Sequence, residues 1–335
     1  MLVKLKDVCK QNCYKQIDAE SLEKLIDNNS FEVKLLPSSK NYDWFTSFKD
    51  GANFVCNGEI VTLGKARYAN IKYWKGSFIS ANNIIIESNN KDLVKTKYLY
   101  YFLTKTSKDY YIETTSYPKF DQKSFDKHLI NLPSIVLQNY RISNLDALFE
   151  LINSEEKDIA KLNALIKSRF NEMFSSFPKV ELHELANIIM GQSPKSSAYN
   201  DDGNGIPFFL QGKADYGEKY TTVNHYTKSW NKEAKKGYVL MSVRAPVGPV
   251  NIASCDCAIG RGLCSMNAKP ARANNEFLYN ALNSMQQEIV LSGKDGSTFA
   301  SINKDQVFQL LLPNAPINLQ NKFSDFVHHI DKLKF

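Results

Sequence analysis

Between Gln138 and Ser175 the chain reads QNYRISNLDALFELINSEEKDIAKLNALIKSRFNEMFS, and its apolar residues recur every seven positions: Leu145, Ile152, Ile159, Ile166 and Met173. Leu148 and Leu162 fill the alternate seam positions, a row that Glu155 and Arg169 interrupt. This heptad spacing predicts a long helix that packs against another helix. No Pro or Gly breaks it, so at about 1.5 Å per residue it spans roughly 55 Å.

On either side the pattern changes from period seven to short strand-like runs. Before the helix come ANFV, EIVTL, ANIKYW and SFISANNIIIES, punctuated by Gly58, Gly64 and Gly76. A helix is expected over 18–28, capped by Asp18 or Ser21, and another over 93–106. After the long helix the same order returns. VELHELA (180–186) echoes VKLKDVC (3–9), and GYVLMSVRAPVGPVNI (237–252) echoes GEIVTLGKARYANI (58–71). CAIGRGLCSMN (257–267) takes the place of FISANNIIIES, and EFLYNAL (276–282) parallels KYLYYFL (97–103). LLLPNAPINLQNKFSDFVHHI (310–330) parallels INLPSIVLQNYRISNLDALFELI (130–152). Five collinear pairs, offset by about 177–182 residues, argue for a duplication. The last of them ends in a helix expected to start near Asn318, where Leu319, Phe323, Phe326, Ile330 and Leu333 form a seam that suits the central helix. The expected organisation is therefore α+β, with two similar mixed α/β modules at 1–137 and 180–317. A central spacer helix at 138–179 lies between them, and a short distal helix at 318–335 closes the chain.

Composition adds limits. The chain has 335 residues, enough for two or three domains, and no run of about eighteen apolar residues that would cross a membrane. MLVKLKDVCKQNC lacks an apolar signal core, which predicts a cytoplasmic protein. The net charge of +7 comes mostly from residues 1–137, where 20 Lys/Arg face 15 Asp/Glu. That excess alone barely favours nucleic acid over a soluble surface. Cys9, Cys13, Cys56, Cys255, Cys257 and Cys264 include no CxxC pair. The last three could be imagined as metal ligands, but with no His close in sequence, reduced and mostly buried thiols are expected. No P-loop, GxGxxG after a strand, HExxH or GxSxG occurs. Glu233-Ala234-Lys235 fits a nuclease-like ExK but reads more simply as a charged turn. The sequence predicts no catalysis and no metal site.

The repeated module–LP–helix order, the central IAKLNALIKSRFNEMF, GQSPKSSAYNDDGNGIPFFLQGKADYG (191–217) and the closing FSDFVHHIDKLKF resemble the specificity (S) subunit of Type I restriction–modification systems. The resemblance covers essentially the whole chain. It implies two target-recognition domains, each reading half of a bipartite, asymmetric double-stranded DNA target. It also implies two conserved helices paired antiparallel, which separate the domains and dock two methyltransferase subunits. S-adenosylmethionine would then belong to those partners, and ATP and magnesium to the restriction subunit, leaving this chain without a cofactor of its own.

On that reading, loop cations, amides and aromatics become candidate DNA contacts. In the first module they are Tyr42, Trp44, Lys49, Lys65, Arg67, Tyr68 and Lys119. Lys65 and Arg67 stand in a short turn from which long cations reach phosphates or guanine edges, although an ordinary solvated hairpin looks the same. Tyr42 and Trp44 are more often core residues. In the second module the turn containing Gln192, Ser193 and Lys195, continuing to Tyr199 and Asn200, is the motif that the resemblance brings near DNA. Gln211, Lys213, Arg244, Arg261 and Lys294 add an amide and cations, Gln suiting adenine and Arg guanine. Arg244 and Arg261 have the alternative of satisfying carbonyls inside the module. Two other readings compete: a duplicated coiled-coil scaffold that binds proteins but no DNA, and a carbohydrate-binding protein, disfavoured by the absence of a secretion signal.

Overall fold

The computed structural model describes residues 1–39, 43–65, 70–115, 117–209, 212–292 and 301–334. The chain forms two compact units, Met1–Ser154 and Glu155–Phe335. Four helices organise them: α1 (Thr96–Lys105), α2 (Ile135–Phe174), α3 (Asn275–Ser284) and α4 (Ile317–Lys332). The boundary between units falls inside α2, which the heptad reading treats as an element of its own. At 40 residues, α2 extends the heptad stretch at its N-terminal end.

In the first unit, strand Leu2–Lys4 pairs antiparallel with Leu129–Asn131, so the chain's entrance is tied to the segment that leads into α2. One helical turn, Leu5–Val8, then delivers Cys9–Gln11 to a seven-stranded sheet. Its order is Cys9–Gln11, Asn83–Ser88, Cys56–Gly64, Lys72–Ala81, Val33–Leu36, Phe45–Thr46, with Gln16–Ile17 also pairing on Lys72–Ala81. Alternation sorts the side chains between two faces. Val61, Leu63, Ile84 and Ile86 pack with Leu99 and Leu103 of α1, while Leu36, Ile60, Phe78 and Ile85 form a second cluster. The run SFISANNIIIES is not one strand. Asn82, at φ 56°, breaks it in two, a left-handed conformation that Asn tolerates better than most residues. The helix expected over 18–28 is only Ala19–Glu23, capped by Asp18, which accepts from the Ser21 amide at 2.8 Å.

The second unit replays the entrance. Lys179–Glu181 pairs with Leu311–Pro313, Leu182–Leu185 makes the turn, and Ala186–Met190 joins Leu263–Ala268. With Val239–Ser242 and Val250–Ile252 these strands complete a four-stranded sheet. This unit also carries a separate five-stranded sheet, ordered Tyr199–Asn200, Tyr226–Thr227, Ile206–Phe209, Cys257–Ile259, Glu233–Ala234. Cys257 and Cys264 are buried, and burial pushes both thiols up to about 12; Cys9 in the first unit behaves alike.

Two glutamines reveal how deep the duplication runs. Gln138, fully buried near the start of α2, donates to the carbonyls of Leu93 (2.9 Å) and Pro133 (3.0 Å) and accepts from the Lys95 amide (3.0 Å). Gln320, fully buried near the start of α4, donates to Arg272 (3.0 Å) and Ala315 (2.8 Å) and accepts from the Asn274 amide (3.1 Å). Lys95 and Asn274 are the N-caps of α1 and α3, so each glutamine fastens its long or distal helix to the corresponding helix of its own module.

In the second unit α4 packs on the C-terminal part of α2. Phe323 lies 5.4 Å from Phe170 and 5.5 Å from Phe174 between ring centroids, and Phe277 of α3 closes the cluster. Further along α4, Val327 and Asp331 share a cavity wall with Asn163 and Ile166 of α2, so the two helices run antiparallel. As expected, α4 starts near Asn318, at Ile317, but Pro316 rather than Asn318 is its N-cap, and Leu333 lies exposed beyond the seam expected to include it. Earlier in α2, Asp146 receives Lys97 (2.8 Å) and Tyr101 (2.5 Å), and Phe149 stacks on Tyr101. Leu148, Leu151 and Ile152 are 54%, 57% and 51% exposed, so this face of α2 is more than half uncovered.

Candidate nucleic-acid interface

In the second unit, strand Ala186–Met190 runs into Gly191. A Cβ there would sit 2.1 Å from the Gly260 carbonyl oxygen and 2.8 Å from that of Leu263, so only glycine lets the two segments close up. The Gly191 amide donates to Leu263 (2.8 Å) and that of Gln192 to Ile259 (3.0 Å). Ser193 Oγ accepts from the Arg261 amide at 3.0 Å. The GQS turn is thereby stitched to the turn at Gly260–Arg261, leaving the Gln192 side chain exposed. Tyr199 supports this turn: its hydroxyl donates to the Pro194 carbonyl (2.9 Å) and its ring packs on Phe208 at 4.8 Å. Lys195 projects from the loop between them, exposed. Asn200 spends its amide locally, accepting from Asp202 and Asn204 and donating to the Asn204 carbonyl.

Beside the turn lies a cavity of 770 Å³, lined by Gly191, Arg244, Arg261, Ile302, Asn303 and Lys304 among others. Strand Val239–Ser242 positions Arg244 two residues beyond its end, where the Ser242 hydroxyl donates to the Arg244 carbonyl (2.9 Å). The Ile302 amide donates to Val243 (3.0 Å), which brings Lys304 alongside. Among the described residues, the lining holds three cations and no carboxylate. Arg244 and Arg261 are both exposed, and neither guanidinium makes a hydrogen bond or ion pair among the described residues. A concave site with uncompensated positive charge favours a polyanion. Both arginines stand out in the sequence, but Lys304 does not: it sits in a distant segment brought to the cavity by the Val243–Ile302 hydrogen bond and the Arg244–Ser301 bridge.

In the first unit three segments converge. The Lys65 carbonyl, at the end of strand Cys56–Gly64, accepts from the Phe120 amide (3.1 Å), and the Gly64 carbonyl accepts from Tyr111 Oη (2.7 Å). Asn70 donates to the Ser38 carbonyl (3.0 Å), and Lys72 Nζ to that of Pro37 (2.7 Å). Exposed Lys65 and Lys119, 54 residues apart in sequence, are thus neighbours, and Lys119 Nζ sits 5.8 Å from the Tyr117 ring. Trp44 is half-buried and packs against the cluster of Leu22, Val33, Leu35 and Ile79. Lys49 lies exposed on the short helix Phe48–Gly51. Tyr42, Arg67, Tyr68, Gln211 and Lys294 lie outside the described residues, as does the side chain of Lys213.

The model of the Type I restriction modification DNA specificity domain matches residues 1–164 and again 175–335, once for each copy of the repeat. The chain belongs to that family. A putative type I restriction enzyme MjaX specificity subunit from Methanocaldococcus jannaschii is 31% identical over 277 residues, covering 75% of this chain but 65% of that relative. Among solved structures, one described as "Structural basis underlying complex assembly and conformational transition of the type I R-M system" contains a chain 25% identical, with a TM-score of 0.52, covering 100% of this chain and 90% of the other. The Type I restriction–modification S subunit from M. genitalium shares the fold at a TM-score of 0.65 and 15% identity, again with 100% and 90% coverage. As in this family, the specificity chain combines helix and sheet in two related halves, with a long central helix. None of its described helices is long and apolar enough to cross a membrane.

Proposed function

We propose that this specificity chain reads a bipartite, asymmetric DNA sequence, one half with each module, and directs methyltransferase and restriction subunits to it without catalysing a reaction. The observation that carries this reading is the cationic cavity beside the GQS turn, whose described wall gathers Arg244, Arg261 and Lys304 without a carboxylate. The convergence of Lys65 and Lys119 gives the first module a similar cationic edge. S-adenosylmethionine, ATP and magnesium are then bound by the partner subunits. The exposed row Leu148, Leu151 and Ile152 on α2 suits docking of the methyltransferase, since each large aliphatic side chain it covers contributes about 1.5–3 kcal/mol.

A mobility-shift assay with duplex DNA, run with and without the methyltransferase partner, tests the reading. A shift that depends on this chain and on sequence is expected. A complex that assembles but retards no duplex would instead favour a scaffold that binds only proteins.

A further inference from the structure

Lys72 is the first residue of strand Lys72–Ala81 and only 4% exposed. Its ammonium donates to the Pro37 carbonyl at 2.7 Å. Asn83, fully buried, donates to the preceding carbonyl, Leu36, at 2.8 Å, and also to Ser80 Oγ at 2.9 Å. Two side chains, from strands that flank Cys56–Gly64 in the sheet, therefore hold consecutive carbonyls at the point where strand Val33–Leu36 gives way to the segment leading to Trp44. Asn70, two residues before Lys72, holds the next carbonyl, Ser38. The carbonyls of residues 36, 37 and 38 are thus each held by a side chain.

A buried ammonium is an expensive choice for such a grip. Thr62, its cross-strand neighbour, is buried and uncharged. Among the described residues, the same end of the sheet carries Lys65 and Tyr111, whose hydroxyl donates to the Gly64 carbonyl (2.7 Å), and the same face carries Lys34 with Asp43 (3.2 Å), Cys56, and Tyr14 with Glu87 (2.8 Å), the last also near Lys10 (3.9 Å). Both carboxylates are engaged by other donors, and Lys72 makes no ion pair among the described residues. Burial holds its pKa down to about 8, against 10.5 for an ordinary lysine.

We propose that Lys72 is a positioning residue for DNA reading by the first module: it fixes the segment that carries Trp44 against the one that carries Lys65, and its charge state makes reading of that half-site sensitive to pH. The proposal rests on the DNA reading above. A charge-assisted hydrogen bond is roughly twice as strong as a neutral one, so the grip loosens as the ammonium loses its proton. Phosphates nearby favour the charged form, so binding takes up a proton and affinity falls as pH rises through about 8. Fold stability moves the other way. The unfolded chain keeps this proton into the ordinary lysine range, so raising the pH above about 8 removes a buried charge and stabilises the fold.

The test measures affinity of the full chain, with its methyltransferase partner, for a duplex carrying the motif that methylation mapping identifies. Wild type, Lys72→Arg and Lys72→Met are compared from about pH 7 to about pH 9, alongside thermal unfolding. Wild-type affinity is expected to fall severalfold, at most about tenfold per pH unit for one proton, while its unfolding temperature does not fall with it. Lys72→Arg should bind without that fall, and Lys72→Met weakly throughout. The same fall in Lys72→Arg, or none in wild type, overturns the proposal; should Lys72→Met not fold, the arginine variant decides. Wild type that binds no duplex at about pH 7 instead overturns the DNA reading, and the proposal with it.

Discussion

A guanidinium that faces solvent with no carboxylate beside it keeps its charge for a partner. Arg244, Arg261 and Lys304 are expected to act as phosphate or base contacts, and their alanine variants separate the two. Loss of a phosphate contact lowers affinity for all sequences and reduces the salt slope by about one unit per charge. Loss of a base contact relaxes specificity at one position, costing about 1–3 kcal/mol of discrimination. Unchanged affinity, slope and specificity in all three variants would move the DNA face elsewhere. Gln138 and Gln320 make a different expectation. Each is fully buried with three hydrogen bonds, so Gln138→Ala or Gln320→Ala leaves buried groups unpaired and destabilises its own module by about 2–3 kcal/mol. Chemical denaturation checks this, and the pairing of Gln138 with Gln320 predicts similar losses. These glutamines were present in the aligned repeat, yet a polar residue within a helical pattern reads as solvent-facing. Lys72 is hidden for the same reason. A lone sequence shows residue type, whereas burial and the choice of carbonyl come from strands brought together over long separations.

The helices were the most legible part of the chain, because period and caps are local. The seven-residue row from Leu145 to Met173 specified α2 nearly to its ends, and the row in α4 specified its partner. What it left open was how much of α2 that partner covers. Ile166, Phe170 and Phe174 are buried, whereas Leu148, Leu151 and Ile152 are more than half exposed. On the proposed reading a methyltransferase helix covers this row. Leu148→Glu with Ile152→Glu should abolish co-purification with the methyltransferase while leaving the unfolding temperature of the chain nearly unchanged, as exposed positions contribute little to the fold. Retained co-purification would place the docking site elsewhere. The strands were read less well, and Asn82 shows why: one residue in a left-handed conformation divides a run whose composition is uniformly strand-like. The five-stranded sheet of the second unit combines pairs from segments up to about fifty residues apart, which no local pattern announces.

Two modules built on one plan, with different loops, are expected to read different half-sites. The repeated entrance strands, the repeated buried glutamines and the double match to one family domain all follow from duplication. The cavity of Arg244, Arg261 and Lys304 belongs to one module, and the edge of Lys65 and Lys119 to the other. A four-residue insertion near Asn153–Glu156 adds about 6 Å of helical rise. On the proposed reading it lengthens the unspecified spacer of the methylated motif and leaves the half-sites alone; unchanged spacing in a folded variant would contradict a ruler role for α2. The most direct measurement is genome-wide methylation mapping in cells that carry the methyltransferase partner and a chain whose residues 180–317 come from another member of the family. One half of the methylated motif should change and the other should stay as it was. A motif in which both halves change, or neither does, would contradict the reading of one half-site by each module.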